Sequence, residues 1–285
     1  MTTYMVTGAS GQLGQLVVDH LSDRVAKESI VALVRSDDAA KAFAAKGIET
    51  RRADYDDIDS LRTAFDGIDR LLLISSSAVG ERPRQHGNVI TAASDAGVDF
   101  VAYTSILNAQ DSAMALAAEH KYTEEALAQS GIKRTVLRNG WYSENLTMTL
   151  QQDIQLGQHF GAAAEGKFST ASRDDYASAA AVVLEGGYDG ETLELAGDTG
   201  FTLAEYAKVI TDLTGTAIDY TDMPQQAFTA ALIDAGLPEG FAQVLADSDA
   251  QAAKGALFDD SKTLSRIIGR PTTSIADTVR AALNS

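Results

Sequence analysis

The feature that most restricts what this chain can fold into lies at its start, in the glycine-rich turn Gly8-Ala9-Ser10-Gly11-Gln12-Leu13-Gly14. Its G-x-x-G-x-x-G spacing follows an apolar strand at residues 4–7 and opens a helical stretch over 12–21. Glycines let the backbone turn tightly and approach a pyrophosphate, and a helix N-terminus offers its unpaired N–H groups to negative charge. A chance triplet among 23 glycines would lack this strand–turn–helix setting. The turn predicts a dinucleotide site of the Rossmann type.

The chain beyond it supports that prediction. Short, almost wholly apolar strands at 30–34, 49–53, 70–74, 100–104 and 134–137 alternate with helical stretches at 38–46, 58–65, 85–96 and 113–129. This alternation is the mark of a parallel sheet covered on both faces, and right-handed crossovers make it an α/β doubly wound sheet. After residue 145 the pattern loosens. A helix at 174–184 and a strand at 192–195 return to the sheet layer, and from 202 onward short helical segments dominate, broken by Gly215, Pro224, Gly236, Pro238 and Gly269. The expected division is a Rossmann domain of residues 1–145 with 174–198, and a smaller C-terminal α/β lobe of 146–173 and 199–285.

Ligand contacts in such sheets gather at the carboxyl ends of the strands. The second strand ends in Arg35 rather than in the acid that would hold a ribose 2′-hydroxyl. A guanidinium binds a 2′-phosphate where a carboxylate repels it, so Arg35 predicts NADPH over NADH; a solvated strand-end arginine is the other reading. Ser75-Ser76-Ser77 follow the fourth strand, Thr104-Ser105 the fifth, and the run Arg138 to Asn145 the sixth. The serines serve equally well as turn and cap residues.

Composition removes several classes of function. With 23 Lys plus Arg against 40 Asp plus Glu, the net charge of −17 leaves no general basic face for nucleic acid. Cysteine is absent, which excludes disulfides, thiolate nucleophiles and thiolate-bound zinc. His20, His86, His120 and His159 are too widely spaced for a ligand pattern, so no metal is expected. No apolar window reaches the length of a membrane span, and the chain reads as cytoplasmic, monomer or homodimer.

A short-chain dehydrogenase acting on alcohols or ketones carries Tyr-x-x-x-Lys on the helix after its fifth strand. Here Ala117 stands four residues before Lys121, and Tyr122 four before Ala126. Ordinary carbonyl reduction is therefore disfavoured. A quinone needs little acid help, because its ring becomes aromatic on accepting hydride and the phenolate, of pKa ~10, takes its proton from water.

The runs Thr7 to Gly14, Leu71 to Ser77 and above all Arg138-Asn139-Gly140-Trp141-Tyr142-Ser143-Glu144-Asn145 resemble the NmrA-like, atypical short-chain dehydrogenase family. Tyr103 to Ser105, Glu194 to Asp198 and Leu257 to Leu264 extend the likeness over nearly the whole chain. The resemblance implies a flavin-free, NADPH-dependent quinone reductase whose cofactor and quinone meet between its two domains. It implies that Gly8, Ala9, Ser10, Gly11, Gln12 and Leu13 cradle the pyrophosphate and that Arg35 takes the 2′-phosphate. Ser75, Ser76, Ser77 and residues 139–145 would flank the nicotinamide and ribose, and Arg173 could reach the ligand from the second lobe. Asn145 is the candidate for the substrate carbonyl, as an amide donor to developing oxyanion charge; a turn asparagine is the alternative. Trp141 and Tyr142 could stack on a flat ring or simply pack, and His120 and Lys121 could line the nicotinamide site or face solvent. A dinucleotide-binding redox sensor without catalysis, and a reductase of another conjugated acceptor such as a dye, remain open at this level.

Overall fold

The computed structural model describes residues 1–284. The N-terminal half alternates strand and helix throughout: β1 (Tyr4–Val6), α1 (Gln12–Ser22), β2 (Ile30–Val34), α2 (Asp37–Ala45), β3 (Glu49–Arg52) and α3 (Ile58–Ala64). It continues with β4 (Arg70–Leu73), α4 (Arg82–Asp95), β5 (Phe100–Ile106), α5 (Ala117–Gln129) and β6 (Lys133–Asn139). Then follow α6 (Ser143–Thr147), α7 (Leu150–Leu156), β7 (Gln158–Gly161), α8 (Arg173–Glu185) and β8 (Thr192–Leu195). The C-terminal part is α9 (Leu203–Thr214), β9 (Asp219–Asp222), α10 (Gln225–Asp234), α11 (Glu239–Ala252), α12 (Thr263–Ile268) and α13 (Ile275–Leu283).

Seven strands form one sheet in the order β3-β2-β1-β4-β5-β6-β8. Strands β1 to β5 pair in parallel, in a register that sets Tyr4 beside Ile30 and Arg70. The order reverses at β1, whose flanks are β2 and β4; such a switch point opens a crevice at the strand ends. Strands β2 and β5 are buried at every position, as an interior strand covered on both faces must be. On one face Met5, Leu33, Leu71, Leu73, Val101 and Tyr103 pack with Leu61, Phe65 and Val89 of α3, its C-terminal end and α4. Helices α1 and α8 pack on each other, and His20 of α1 meets Asp174 of α8 at 2.7 Å.

The chain divides into two compact units. The first is residues 1–106, 119–138 and 173–193; the second is 107–118, 139–172 and everything from Glu194 on. The loop 107–118 and the run 139–145, expected in the Rossmann part, thus group with the C-terminal residues. Within the second unit, Leu107 N–H donates to Asn139 O at 3.0 Å and Gly140 N–H to Leu195 O at 2.7 Å.

The second unit contains a parallel strand pair that the helical reading from residue 202 onward missed. Gln158 pairs with Asp219 and Gly161 with Asp222. Each strand has four residues, and the second, Asp-Tyr-Thr-Asp, is exposed at both acidic ends. Such a segment shows neither apolar continuity nor alternation, so no period betrays it. Above the pair Phe228, Leu232, Ala242 and Ala246 of α10 and α11 make a small core with Ala162.

Candidate functional site

The glycine turn adopts the conformation its sequence requires. Gly8 sits at φ +58°, in the left-handed region that favours glycine, and Gly11 N–H donates back to Gly8 O at 3.0 Å. Gly11 is the N-cap of α1 and offers no side-chain cap, so the first N–H groups of the helix are left for a ligand. A cavity of about 460 Å³ opens here, lined by Gly8, Ser10 and Gly11, by Arg35 after β2, by Asp54 and Tyr55 after β3, and by Ile74 to Ala78 after β4. It has the residues a phosphorylated dinucleotide needs: a backbone cradle that tolerates no Cβ at Gly14, and a cation one strand away.

Arg35 has a neighbour of the same sign. Arg52, paired in register with Val34, donates from Nη2 to the Arg35 carbonyl at 3.2 Å and from Nη1 to Asp37 at 2.6 Å. The turn after β2 is thus held by one arginine while the other lines the cavity. Ser36 caps α2 by accepting from Ala39 N–H at 3.3 Å.

The serine loop after β4 is fixed from several sides by buried groups. Thr7 Oγ1 accepts from Ile74 N–H at 3.1 Å and donates to Leu72 O at 2.9 Å, and the Tyr55 hydroxyl reaches both Thr7 and Ile74 O. Ser75 N–H donates to Thr104 Oγ1 at 2.9 Å, Ser76 N–H to His86 Nε2 at 3.0 Å, and Arg82 Nε to Ser76 O at 2.6 Å. Thr123 donates its own proton to Glu119 O, so His86 Nδ1–H must donate to Thr123 Oγ1 at 2.9 Å. His86 is fully buried, and desolvation, followed by the Arg82 cation, pushes its pKa down to about 3. It is neutral, with its tautomer set by its partners.

His120 is buried as well, with Nδ1 2.7 Å from the Tyr103 hydroxyl and a pKa pushed down to about 3 by burial and by Arg82. It lines neither cavity described here. Lys121 is exposed, and Tyr122 is 48% exposed on the outer side of α5. The helix therefore carries no buried Tyr–Lys pair.

The run 138–145 divides its work. Arg138 forks onto Glu124, Nε to Oε1 at 3.0 Å and Nη2 to Oε2 at 2.7 Å, while Ser105 donates to the same carboxylate at 2.6 Å. Ser143 N–H donates to Ala171 O, and its hydroxyl meets Thr170 at 2.8 Å. Trp141 and Asn145 instead line a cavity of about 210 Å³ inside the second unit, with Leu146, Thr149, Phe160, Leu203, Phe228, Leu232 and others. Asn139, Gly140, Tyr142, Ser143 and Glu144 do not line it.

The wall of this second cavity holds Asp153, His159 and Asp249. Asp153 Oδ2 lies 2.9 Å from His159 Nδ1 and accepts from Thr149 at 3.1 Å. Asp249 accepts from Ala162 N–H at 3.0 Å, but burial outweighs that bond and raises its pKa to about 6. A carboxylate whose folded pKa exceeds its unfolded value costs stability once it ionises, so this group's contribution worsens as pH climbs from about 4 to above 6. Asp249→Asn keeps an acceptor for Ala162 and removes the charge. It is expected to raise stability at pH 8 by on the order of 1–2 kcal/mol, with the gain gone near pH 4. Thermal melts at the two pH values check this, and an equal gain at both refutes the charge as its cause.

The expected site residues therefore fall into two sets. Gly8, Ser10, Gly11, Arg35 and Ser75 to Ser77 come together in the first unit, and Trp141 and Asn145 line one cavity in the second. Ala9 and Leu13 are buried in the packing, Gln12 begins α1, and Arg173 begins α8. Asp54 and Tyr55, expected at a ligand because they follow the third strand, line the first cavity, whereas Arg52, Gln85 and His86 escaped the reading of residues as chemistry. Register beside β2 is the sequence signal for Arg52. Among the described residues no cluster of His, Asp and Glu has the form of a metal site, and no helix is long and apolar enough to cross a membrane.

Comparisons with known proteins agree with this geometry. Quinone oxidoreductase 2 of Escherichia coli K12 is 50% identical over 280 residues, covering 98% of each chain. The crystal structure of the E. coli NADPH-dependent quinone oxidoreductase with NADPH superposes with a TM-score of 0.97 at 50% identity, over 99% of this chain and all of that one. The triphenylmethane reductase of Citrobacter sp. with NADP(H) superposes at 0.95 and 34% identity, covering 98% of this chain and all of the other. The model of the NmrA-like family matches residues 2–275. The chain belongs to the NmrA-like family.

Proposed function

We propose that this protein reduces quinones to hydroquinones with NADPH, by direct hydride transfer and uptake of one proton. The observation that carries the reading is the half-identity over almost the whole of both chains with a quinone oxidoreductase whose structure holds NADPH. The site supports it residue by residue. Gly8, Ser10, Gly11 and the N-terminus of α1 hold the pyrophosphate, Arg35 takes the 2′-phosphate, and the Ser75–Ser77 loop seats the ribose and nicotinamide. NADPH supplies the hydride. Asn145 donates its amide N–H to the acceptor oxygen as charge develops on it. Tyr122 is exposed and lines neither cavity, which suits an acceptor whose product is a stable phenolate.

The test is NADPH consumption with p-benzoquinone and naphthoquinones in flavin-free buffer, followed by the loss of reduced-nicotinamide absorbance. Hydroquinone formed in step with NADPH consumed is the expected result. Tight NADPH binding without consumption points instead to a dinucleotide-binding regulator. Asn145→Ala is expected to lower kcat by on the order of ten- to a hundredfold with NADPH affinity retained; an unchanged rate with every quinone removes Asn145 from the reaction.

A further inference from the structure

The cation assigned to the 2′-phosphate stands alone in an acidic chain. Most arginines of this protein meet a carboxylate, Arg62, Arg84 and Arg280 among them. Arg35 meets none among the described residues, although it is exposed at the cavity and acids surround it. Asp37 and Asp38 follow it closely in sequence. Asp56 has its carboxyl held below the usual range by Gln85, by Arg84 and, at longer reach, by Arg35. Each of these acids is claimed by another group. Asp37 accepts from Arg52 at 2.6 Å, Asp38 faces Lys41 at 3.5 Å, and Asp56 accepts from Arg84 at 2.7 Å and from Gln85 at 3.1 Å.

Arg52 differs from the other partners in its position. Pairing with Val34 on the adjoining strand sets it beside the turn, where Nη2 donates to the Arg35 carbonyl at 3.2 Å while Nη1 holds Asp37. One guanidinium thus ties the backbone that carries the Arg35 side chain and occupies the carboxylate nearest to it in sequence. A carboxylate is the internal rival of a phosphate, with the same sign of charge and the same fork geometry toward a guanidinium. Left unheld, Asp37 would compete at the high effective concentration of a group on the same turn.

We infer that Arg52 is a positioning residue that sets nucleotide specificity: it keeps Asp37 off Arg35, so that Arg35 stays open to the 2′-phosphate. The inference rests on the role proposed for Arg35 above. Arg52 then favours NADPH over NADH without touching either, because only NADPH needs the Arg35 guanidinium free. The pair is exposed, 59% at Arg52 and 71% at Asp37, so its effect is that of a surface ion pair and weakens with salt.

Titrations of NADPH and NADH onto the whole protein at low salt, followed by nicotinamide fluorescence, test this. Arg52→Ala is expected to weaken NADPH binding about fivefold, the upper weight of one exposed ion pair, and to leave NADH binding unchanged. Adding Asp37→Asn to Arg52→Ala is expected to restore NADPH affinity, since the rival charge is gone. Arg52→Lys is expected to lose little, because an ammonium still holds Asp37. A loss that persists in the double variant makes Arg52 a phosphate ligand in its own right and overturns the inference. Equal losses for both dinucleotides mark Arg52 as support for the fold alone and overturn it as well, as does the absence of any loss. Equal affinity of the unaltered protein for NADPH and NADH would instead refute the 2′-phosphate role of Arg35 itself.

Discussion

Replacing Arg35 by aspartate is expected to weaken NADPH binding roughly 100-fold while NADH affinity stays within a few-fold. Hydrogen bonds to a charged group contribute about 1.5–3 kcal/mol each, and every 1.4 kcal/mol is tenfold in affinity. The variant loses at least one such bond and adds a carboxylate beside a phosphate. Nothing comparable is lost with NADH, which lacks the 2′-phosphate; the new carboxylate can bond its 2′-hydroxyl. Titration of both dinucleotides by nicotinamide fluorescence decides the matter, and equal losses would refute the role. Arg52 moderates the size of the effect, because it keeps a second cation beside the same turn and is itself committed to Asp37.

Gly14→Ala is expected to be the most damaging single methyl group in the cofactor unit. A Cβ there would lie 2.3 Å from Gly8 O, 2.7 Å from Ala9 Cα and 2.9 Å from Ala9 O, all of them backbone. No side chain can rotate away, so either the turn or α1 must shift. Overpacking of this kind costs about 1–3 kcal/mol and more where the backbone is the obstacle, a drop of several degrees in Tm for a chain of this size. NADPH affinity is expected to fall at least tenfold with it, because the same displacement moves the N–H groups that we propose hold the pyrophosphate. Gly11→Ala is the control: its Cβ would meet only Gly8 O, at 3.2 Å, and Tm should change far less. Matching melting curves for the two variants would mean that the close approach at Gly14 is not what holds the turn.

The parts of the molecule legible in sequence are those ruled by backbone geometry or by long apolar runs. The glycine turn can be placed because glycine is favoured at φ +58° and a Cβ at Gly14 would collide with the backbone of Gly8 and Ala9. Strands such as Ile30–Val34 declare themselves because burial on both faces demands five apolar residues in succession. Arg35, which lines the first cavity, is readable because strand ends in this fold border the crevice. The four-residue strands β7 and β9 are not readable, since their pairing is long-range and their faces are mixed. His86 and His120 look like ordinary helical polar residues until the fold buries them against Ser76 and Tyr103. The resemblance runs also conceal two kinds of work. Arg138 and Glu194 act as ties, the first on Glu124 and the second on Asn108 N–H at 2.9 Å, whereas Trp141 and Asn145 face an open cavity. Spacing alone does not separate a tie from a contact.

The one-way chain from Ser76 through His86 to Thr123 and Glu119 bears on the conditions under which the protein works. The Nε2 lone pair of His86 already accepts the Ser76 N–H and its Nδ1–H is donated to Thr123, so the imidazole offers no open site to an incoming proton. His86, whose pKa burial pushes down to about 3, consequently stays neutral above that and holds the serine loop in one arrangement. A pH profile of turnover should then report the proton that the hydroquinone gains and the ionisation of Asp249, while the profile of NADPH affinity stays level apart from the phosphate's own titration. Measured side by side, the two curves separate the chemistry of the acceptor from the grip on the donor.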